Sequence, residues 1–126
     1  MDIILEAEDA VVVGAKAVWD HPSVPGVDFV DYVSSSGDYV EWTVSVPATG
    51  VYTLEFRYAL ISGDRPLQVL VNGSEVEASL SFPATGSWTE WGSTSTTATL
   101  NTGTNTVRAV AIGSSGANID YLRVTD

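Results

Sequence analysis

Two glutamates near the start of the chain are spaced so that both side chains point the same way. Glu6 and Glu8 lie in a segment that opens with the apolar residues 3–5, which is typical of a strand. Residues i and i+2 of a strand share a face, so the two carboxylates would lie side by side and repel each other. The sequence has only 5 Lys and Arg against 16 Asp and Glu, so internal cations are scarce. Carboxylate oxygens are preferred calcium ligands, and the last strand could bring Asp120 to the same place, which predicts a calcium site.

A third acidic residue supports this prediction. Asp120 would share a strand face with Leu122 and Val124, and a carboxylate on an otherwise apolar face needs a partner. Metal ligation would supply that partner. The alternative is that the two glutamates form surface ion pairs with Arg123 or Lys16, without any metal.

The elements that must position these acids are strands. Residues 40–46 and 52–60 alternate between apolar and polar side chains, which is typical of half-buried strands. Asn72-Gly73 is the strongest hairpin signal in the chain, and no stretch has a helical period. Strands at this spacing predict an all-β fold, a two-sheet antiparallel β-sandwich of the jelly-roll kind. The predicted strands are residues 3–8, 10–13, 29–33, 38–46, 51–60, 67–71, 76–82, 91–100, 106–112 and 119–124.

Composition excludes several classes of function. A length of 126 residues with 44% hydrophobic residues fits one domain with a substantial core. No apolar run reaches about 18 residues, so we expect no membrane span. The net charge of −11 argues against a nucleic-acid partner, which requires basic surfaces. Met1 runs directly into the first strand without a signal peptide, so we interpret residues 1–126 as one module of a larger protein.

Four motifs, taken together and in order, resemble a known type of domain. The chain resembles carbohydrate-binding modules of families 6 and 35 along nearly its whole length. The first motif is Glu6-Ala7-Glu8. The second is Gly37-Asp38-Tyr39-Val40-Glu41-Trp42 with the following Val46–Leu54 segment, and it is similar to the families' central hairpin. The third and fourth are Thr85-Gly86-Ser87-Trp88-Thr89-Glu90-Trp91 and Asn118-Ile119-Asp120-Tyr121-Leu122.

The resemblance implies a function and a set of partners. It implies a non-catalytic jelly-roll module that binds a polysaccharide or oligosaccharide and targets an attached glycan-degrading enzyme. The expected partner in the same chain is a catalytic domain, and we expect a secreted, monomeric module. The resemblance also implies a structural calcium held by Glu6, Glu8 and Asp120, with backbone carbonyls from residues 19–29 in the remaining positions.

The glycan site implied by the resemblance lies in the loops at one end of the sandwich. Trp88 is the expected stacking aromatic, because sugar rings have apolar faces that pack on indole rings. Phe29 or Tyr32 is the second stacking residue, and both remain open. Asn118 would hydrogen-bond sugar hydroxyls at the floor, and Trp19 would lie at the edge. The alternatives are a core position for Phe29 and a turn position for Asn118, with Trp19 as a lid over the core or Trp88 as a packed anchor of its loop.

Other residues of the sequence are compatible with other functions. Trp91 is expected in the core. A row on the sheet face could bind glycan, or could be a solvated row in which Glu41 or Glu55 pairs with Arg57. Glu41 and Glu55 could also form the acid pair of a glycosidase, and an adhesion module with calcium but no sugar site is a further alternative. The low number of cationic residues favours a neutral glycan. The proposed row is Tyr39, Glu41, Thr43, Glu55 and Arg57.

Overall fold

The chain folds as a set of β-strands. The structure, a computed structural model, describes residues 2–7, 10–13, 16–18, 29–31, 36–87, 90–112 and 118–126. No helix within these residues is long and apolar enough to span a membrane. The strands found in them are β1 Asp2–Glu6, β2 Val11–Val13, β3 Lys16–Val18, β4 Phe29–Asp31, β5 Ser36–Val46, β6 Gly50–Ala59, β7 Leu67–Val71, β8 Ser74–Leu80, β9 Gly92–Leu100, β10 Gly103–Ile112 and β11 Asn118–Thr125.

The strands form two antiparallel sheets. One sheet has the order β3-β4-β11-β6-β9, with β1 also paired to β11, and the other has the order β2-β5-β10-β7-β8. The two sheets pack face to face, which confirms the predicted jelly-roll β-sandwich. Strands distant in sequence become neighbours in both sheets, because a jelly roll connects the sheets repeatedly.

The core lies between the inner faces of the two sheets. The predicted alternation is confirmed, since the inward residues of β5 and β6 are buried and the residues between them are at least partly exposed. The rings of Trp42 and Phe56 meet across the sheets with centroids 5.7 Å apart, and Phe82 packs on Phe56 at 5.8 Å. Burial of large apolar side chains of this kind is the main stabilising term of the sandwich.

The connection between β5 and β6 differs from the expectation of a hairpin. The two strands belong to different sheets, so residues 47–49 carry the chain from one sheet to the other. Glu41 and Glu55 therefore point outward on opposite sides of the sandwich. They cannot flank one sugar, and the proposed single row of outward residues is wrong.

Strand boundaries follow the sequence closely elsewhere. The Asn72-Gly73 turn joins β7 to β8, and both residues have positive φ angles of 51° and 82°, as in a type I′ hairpin turn. The short strand β3 was not expected from the sequence, because three residues carry too little periodicity to identify a strand.

One end of the sandwich brings together the end of β6 and the starts of β9 and β11. Strand β6 ends at Ala59, where Asn118 begins β11 as its pairing partner. Gly92 begins β9 and pairs with Tyr58, the residue that precedes Ala59. We call this end of the sandwich, defined by Ala59, Gly92 and Asn118, the loop end.

Candidate functional site

The structure describes some of the residues that are predicted to form the two sites. Glu6, Asn118 and Asp120 are described with their side chains, and Phe29 is described as the first residue of β4. The remaining predicted residues lie outside the described residues: Glu8, Trp19, Tyr32 and Trp88.

Asn118, the predicted polar residue of the glycan site, is one of the residues that define the loop end. It is the first residue of β11, pairs with Ala59, and is only 7% exposed. It is part of a strand, so the alternative of a turn residue is wrong. A side-chain amide can donate and accept hydrogen bonds at once, which suits the hydroxyl groups of a sugar.

The segment that precedes Trp88 is tied to the same end by hydrogen bonds. The Tyr58 hydroxyl donates to the Pro83 carbonyl at 2.6 Å, and the Thr85 amide donates to the Leu60 carbonyl at 2.9 Å. Burial, with a smaller contribution from the charge of Asp64, raises the pKa of Tyr58, so its hydroxyl remains a donor at neutral pH. The chain that leads to Trp88 is therefore held against the end of β6, beside Asn118.

The pairing register of β4 with β11 indicates where Phe29, one of the two candidates for the second stacking residue, lies along β11. Val30 pairs with Ile119 in an antiparallel arrangement. Phe29 consequently lies toward Asp120 along β11, and Asp31 lies toward Asn118. The backbone thus brings Phe29 nearer the predicted metal site than the predicted sugar floor, and Tyr32 stays open as the stacking residue.

Three strands converge on Asp120. Glu6, the last residue of β1, lies opposite Tyr121, and β4 pairs with Ile119. Asp120 lies between these partners at a β-bulge, 7% exposed, and Glu6 is half-buried. Two carboxylates on adjacent strands are the hard oxygen donors that calcium prefers, so these residues fit that ion. Within the described ranges no group of three or more acidic, His or Cys residues could hold a metal, and the third predicted ligand, Glu8, lies outside them.

Asp120 also has a cationic partner within the protein. Its Oδ2 lies 3.3 Å from Nε of Arg57, and the Arg57 guanidinium lies 5.9 Å from the ring centre of Tyr121. The bulge shifts the register of β11 beside Asp120, which is buried like Leu122 and Val124.

Arg123, one of the two cations considered as a surface partner of the glutamates, binds another acid. Arg123 binds Asp2 through two hydrogen bonds of 2.9 and 2.7 Å, and it lies 4.0 Å from Glu55. Its charge is therefore directed at residues other than Glu6. The pKa of Asp2 is lowered, chiefly by the hydrogen bond from Arg123.

Comparison with known proteins decides the family. The model of carbohydrate binding module family 6 matches residues 28–126. A family 35 carbohydrate-binding module from Clostridium thermocellum has 40% sequence identity and a TM-score of 0.92, with 98% of this chain and 97% of that chain covered. The chain belongs to the carbohydrate-binding modules of families 6 and 35.

Two further relatives extend the comparison. A family 35 module solved in complex with a glucuronic acid containing disaccharide has 26% identity and a TM-score of 0.83, covering 98% of this chain and 93% of that one. An exo-β-D-glucosaminidase from Amycolatopsis orientalis is 38% identical over 119 residues, which are 93% of this chain and 12% of that protein. The module thus spans about an eighth of that enzyme, and modules of this type are found attached to glycan-degrading enzymes.

The position of Trp91 in the module differs from the prediction. It was expected in the core but is only half-buried, and the Arg57 guanidinium lies 5.8 Å from its ring centre. Its ring faces a charged side chain because it precedes β9 rather than belonging to the alternating part of that strand.

Sequence reasoning missed one buried acid of the module. Asp38 is 6% exposed and lies near the start of β5, whose first residue pairs with Ile112 at the end of β10. The sequence contains a signal for this burial. Asp38 lies two and four residues before the inward-facing Val40 and Trp42, so it shares their face of the strand. The same argument was applied to Asp120 but not to this residue.

The outer face of the five-stranded sheet is occupied by an ion pair. Arg108 reaches Glu41 at 2.7 Å, and its guanidinium lies 4.0 Å from the ring centre of Tyr39. The predicted pairing of Glu41 or Glu55 with Arg57 is therefore wrong. Arg108 covers one face of Tyr39, and that face cannot stack on a sugar while this pair is in place.

Proposed function

We propose that the module binds its glycan at the loop end, through stacking on Trp88 and hydrogen bonds from Asn118. Phe29 or Tyr32 would complete the stacking surface, with Trp19 at its edge. The observation that supports this site is the buried amide of Asn118 beside the tethered segment that leads to Trp88. An apolar platform with a few fixed polar groups is the usual composition of a sugar site.

The binding strength needed is modest. A module tethered to an enzyme keeps that enzyme at a high local concentration on the polymer, so a weak site suffices. We propose that the module is a monomeric part of a secreted enzyme and that its role is targeting rather than catalysis.

The positions of the acids support a non-catalytic role. Glycoside hydrolysis needs two carboxyl groups about 5–10 Å apart across one cleft. Glu41 and Glu55 lie on outer faces of different sheets, and the arginines Arg108 and Arg123 lie within ion-pair distance of them.

The ligand class follows from charge. With a net charge of −11, the module would repel a polyanionic glycan, so a neutral chain such as xylan or a β-glucan is the proposed ligand. A second candidate is a glucuronic acid-containing oligosaccharide, which the complex of the similar family 35 module supports. That ligand would require a cation to bridge its carboxylate to the acidic protein.

We further propose that Glu6, Glu8 and Asp120 hold a calcium ion. When bound, the ion would supply positive charge and oxygen-ligand bonds that link β1, β4 and β11. The β1–β11 register, which brings Glu6 toward Asp120, supports this proposal. Arg57, at 3.3 Å, offsets part of the charge of Asp120. The expected role is structural, because binding to the folded state alone stabilises that state.

The test of the sugar site is titration calorimetry in calcium-containing buffer. The ligands would be xylohexaose, mannohexaose, isomaltohexaose and a glucuronic acid-containing xylo-oligosaccharide. We expect binding to one of them, and Trp88→Ala to abolish measurable heat because one stacking contact contributes about 1–2 kcal/mol to a weak interaction.

Two variants serve as references in this experiment. Asn118→Ala should weaken binding, whereas Ser95→Ala, on an exposed position of β9, should leave it unchanged. A Trp88→Ala protein that binds as tightly as the parent would overturn the loop-end site.

A further inference from the structure

The hydroxyl, the backbone amide and the methyl group of Thr85 all make contacts at the loop end. Its hydroxyl accepts a hydrogen bond from the Leu60 amide at 3.1 Å. The same hydroxyl lies 3.2 Å from the carbonyl oxygens of both Leu60 and Ser87, to either of which it can donate its single proton. The backbone amides of Thr85 and Gly86 both donate to the Leu60 carbonyl, at 2.9 and 3.2 Å.

The methyl group of Thr85 makes a separate contact. A Cβ placed on Gly92 would lie 2.9 Å from Thr85 Cγ2, closer than real carbon contacts allow. Gly92 therefore has no side chain at the point where the threonine methyl packs on the start of β9. Gly86, with φ of +111°, lets the chain leave Thr85 in a direction that other residues rarely adopt.

These contacts connect the two halves of the proposed sugar site. Leu60 directly follows Ala59, the pairing partner of Asn118. Ser87 directly precedes Trp88, and Gly92 follows it by four residues. Thr85 thus contacts the strand end beside the polar floor and both flanks of the segment that carries the aromatic platform.

We propose that Thr85 is the positioning residue of the sugar site, which sets Trp88 relative to Asn118 without touching the sugar. This inference rests on the proposed function. The hydroxyl is the active part, because it alone bonds to both Leu60 and Ser87, whereas the methyl only packs on Gly92. Replacement of the hydroxyl by a methyl group would also leave the Leu60 amide without its acceptor.

The experiment compares Thr85→Val, which keeps the shape, with Thr85→Ser, which keeps the hydroxyl. Both are titrated with the oligosaccharide that the parent binds best among xylohexaose, mannohexaose and isomaltohexaose. We expect Thr85→Val to weaken binding by about tenfold or more, and Thr85→Ser to stay within about threefold of the parent.

Variants of two matched tyrosines distinguish an effect on the position of Trp88 from a general loss of stability. Tyr58 and Tyr52 are both buried on β6, and each donates to a backbone carbonyl at 2.6 Å. The acceptor of Tyr58 is Pro83, in the segment leading to Trp88, whereas the acceptor of Tyr52 is Ala48, at the opposite end of the sandwich. Tyr58→Phe should weaken binding, and Tyr52→Phe should lower the melting temperature by a similar amount and leave binding unchanged.

Each outcome has a definite meaning. Weak binding by the valine variant with rescue by the serine variant supports the proposal. Equal affinities of Thr85→Val and the parent overturn it, as does a Tyr52→Phe variant that loses as much affinity as Thr85→Val. A parent that binds none of the three sugars refutes the proposed function for these three classes of neutral glycan, and the inference resting on it falls for that separate reason.

Discussion

Removal of calcium should destabilise the module, and the substitution Asp120→Ala should remove that dependence. Asp120 is 7% exposed and lies where β1, β4 and β11 meet, so an ion bound there links three strands that are distant in sequence. At a free calcium concentration about 100 times the dissociation constant, binding to the folded state adds about 2.7 kcal/mol to the free energy of unfolding. The unfolding entropy of a domain of 126 residues converts this into a shift of about 10 °C in the melting temperature.

The substitution also has an effect that does not involve the metal. Asp120→Ala removes the ion pair with Arg57, whose side chain is 40% exposed but whose Nε, the atom that faces Asp120, is buried. We therefore expect a cost of about 1–3 kcal/mol in chelator, because the buried Nε of Arg57 loses the carboxylate that faces it. The melting temperatures of parent and variant should differ by much more in calcium than in chelator.

Glu41→Ala provides the matched control. Glu41 forms the same kind of pair, with Arg108 at 2.7 Å, but on the outer face of the other sheet. This variant should keep the full calcium-dependent shift. The assay is differential scanning calorimetry in excess calcium and in excess chelator, on protein whose bound calcium is first measured by mass spectrometry. A calcium-loaded parent whose melting temperature does not change in chelator refutes the structural calcium, and so does a Glu41→Ala variant that loses the dependence.

Two further predictions concern the outer faces of the sheets. Tyr39→Ala should leave oligosaccharide affinity within about threefold of the parent, under 1 kcal/mol, because Arg108 already covers the tyrosine ring. A larger loss of affinity, measured by calorimetric titration of a folded variant, would indicate a sugar site on this face. Trp91→Ala should lower the free energy of unfolding by about 1–2 kcal/mol, since its half-buried ring removes less apolar area from water, whereas Trp42→Ala in the core should cost about 3–5 kcal/mol. Denaturant unfolding of both variants measures this difference, and equal costs would mean that Trp91 contributes as much to the core as Trp42.

Local features of the chain were predictable where the signal lies within a few residues. The period of two in β5 and β6 identified their buried residues, because alternation of side chains is a property of every strand. Asn72-Gly73 identified its hairpin because few other residue pairs adopt two positive φ angles in succession. The motif from Glu6 to Glu8 and the one at Asn118 identified the family because they occur in order along one chain.

Tertiary structure decided which strands and charges meet. A hairpin was the expectation for β5 and β6, but a short connection also fits a crossing between sheets. In the structure β5 pairs with β2 and β10, whereas β6 pairs with β9 and β11. The bulge at Asp120 and its contact with Arg57 depend on pairing between strands more than sixty residues apart, which no local pattern encodes. Burial patterns are set by each strand alone, whereas partners are set by the competition among all strands for a place in the sheets, and that competition is settled only in the folded chain.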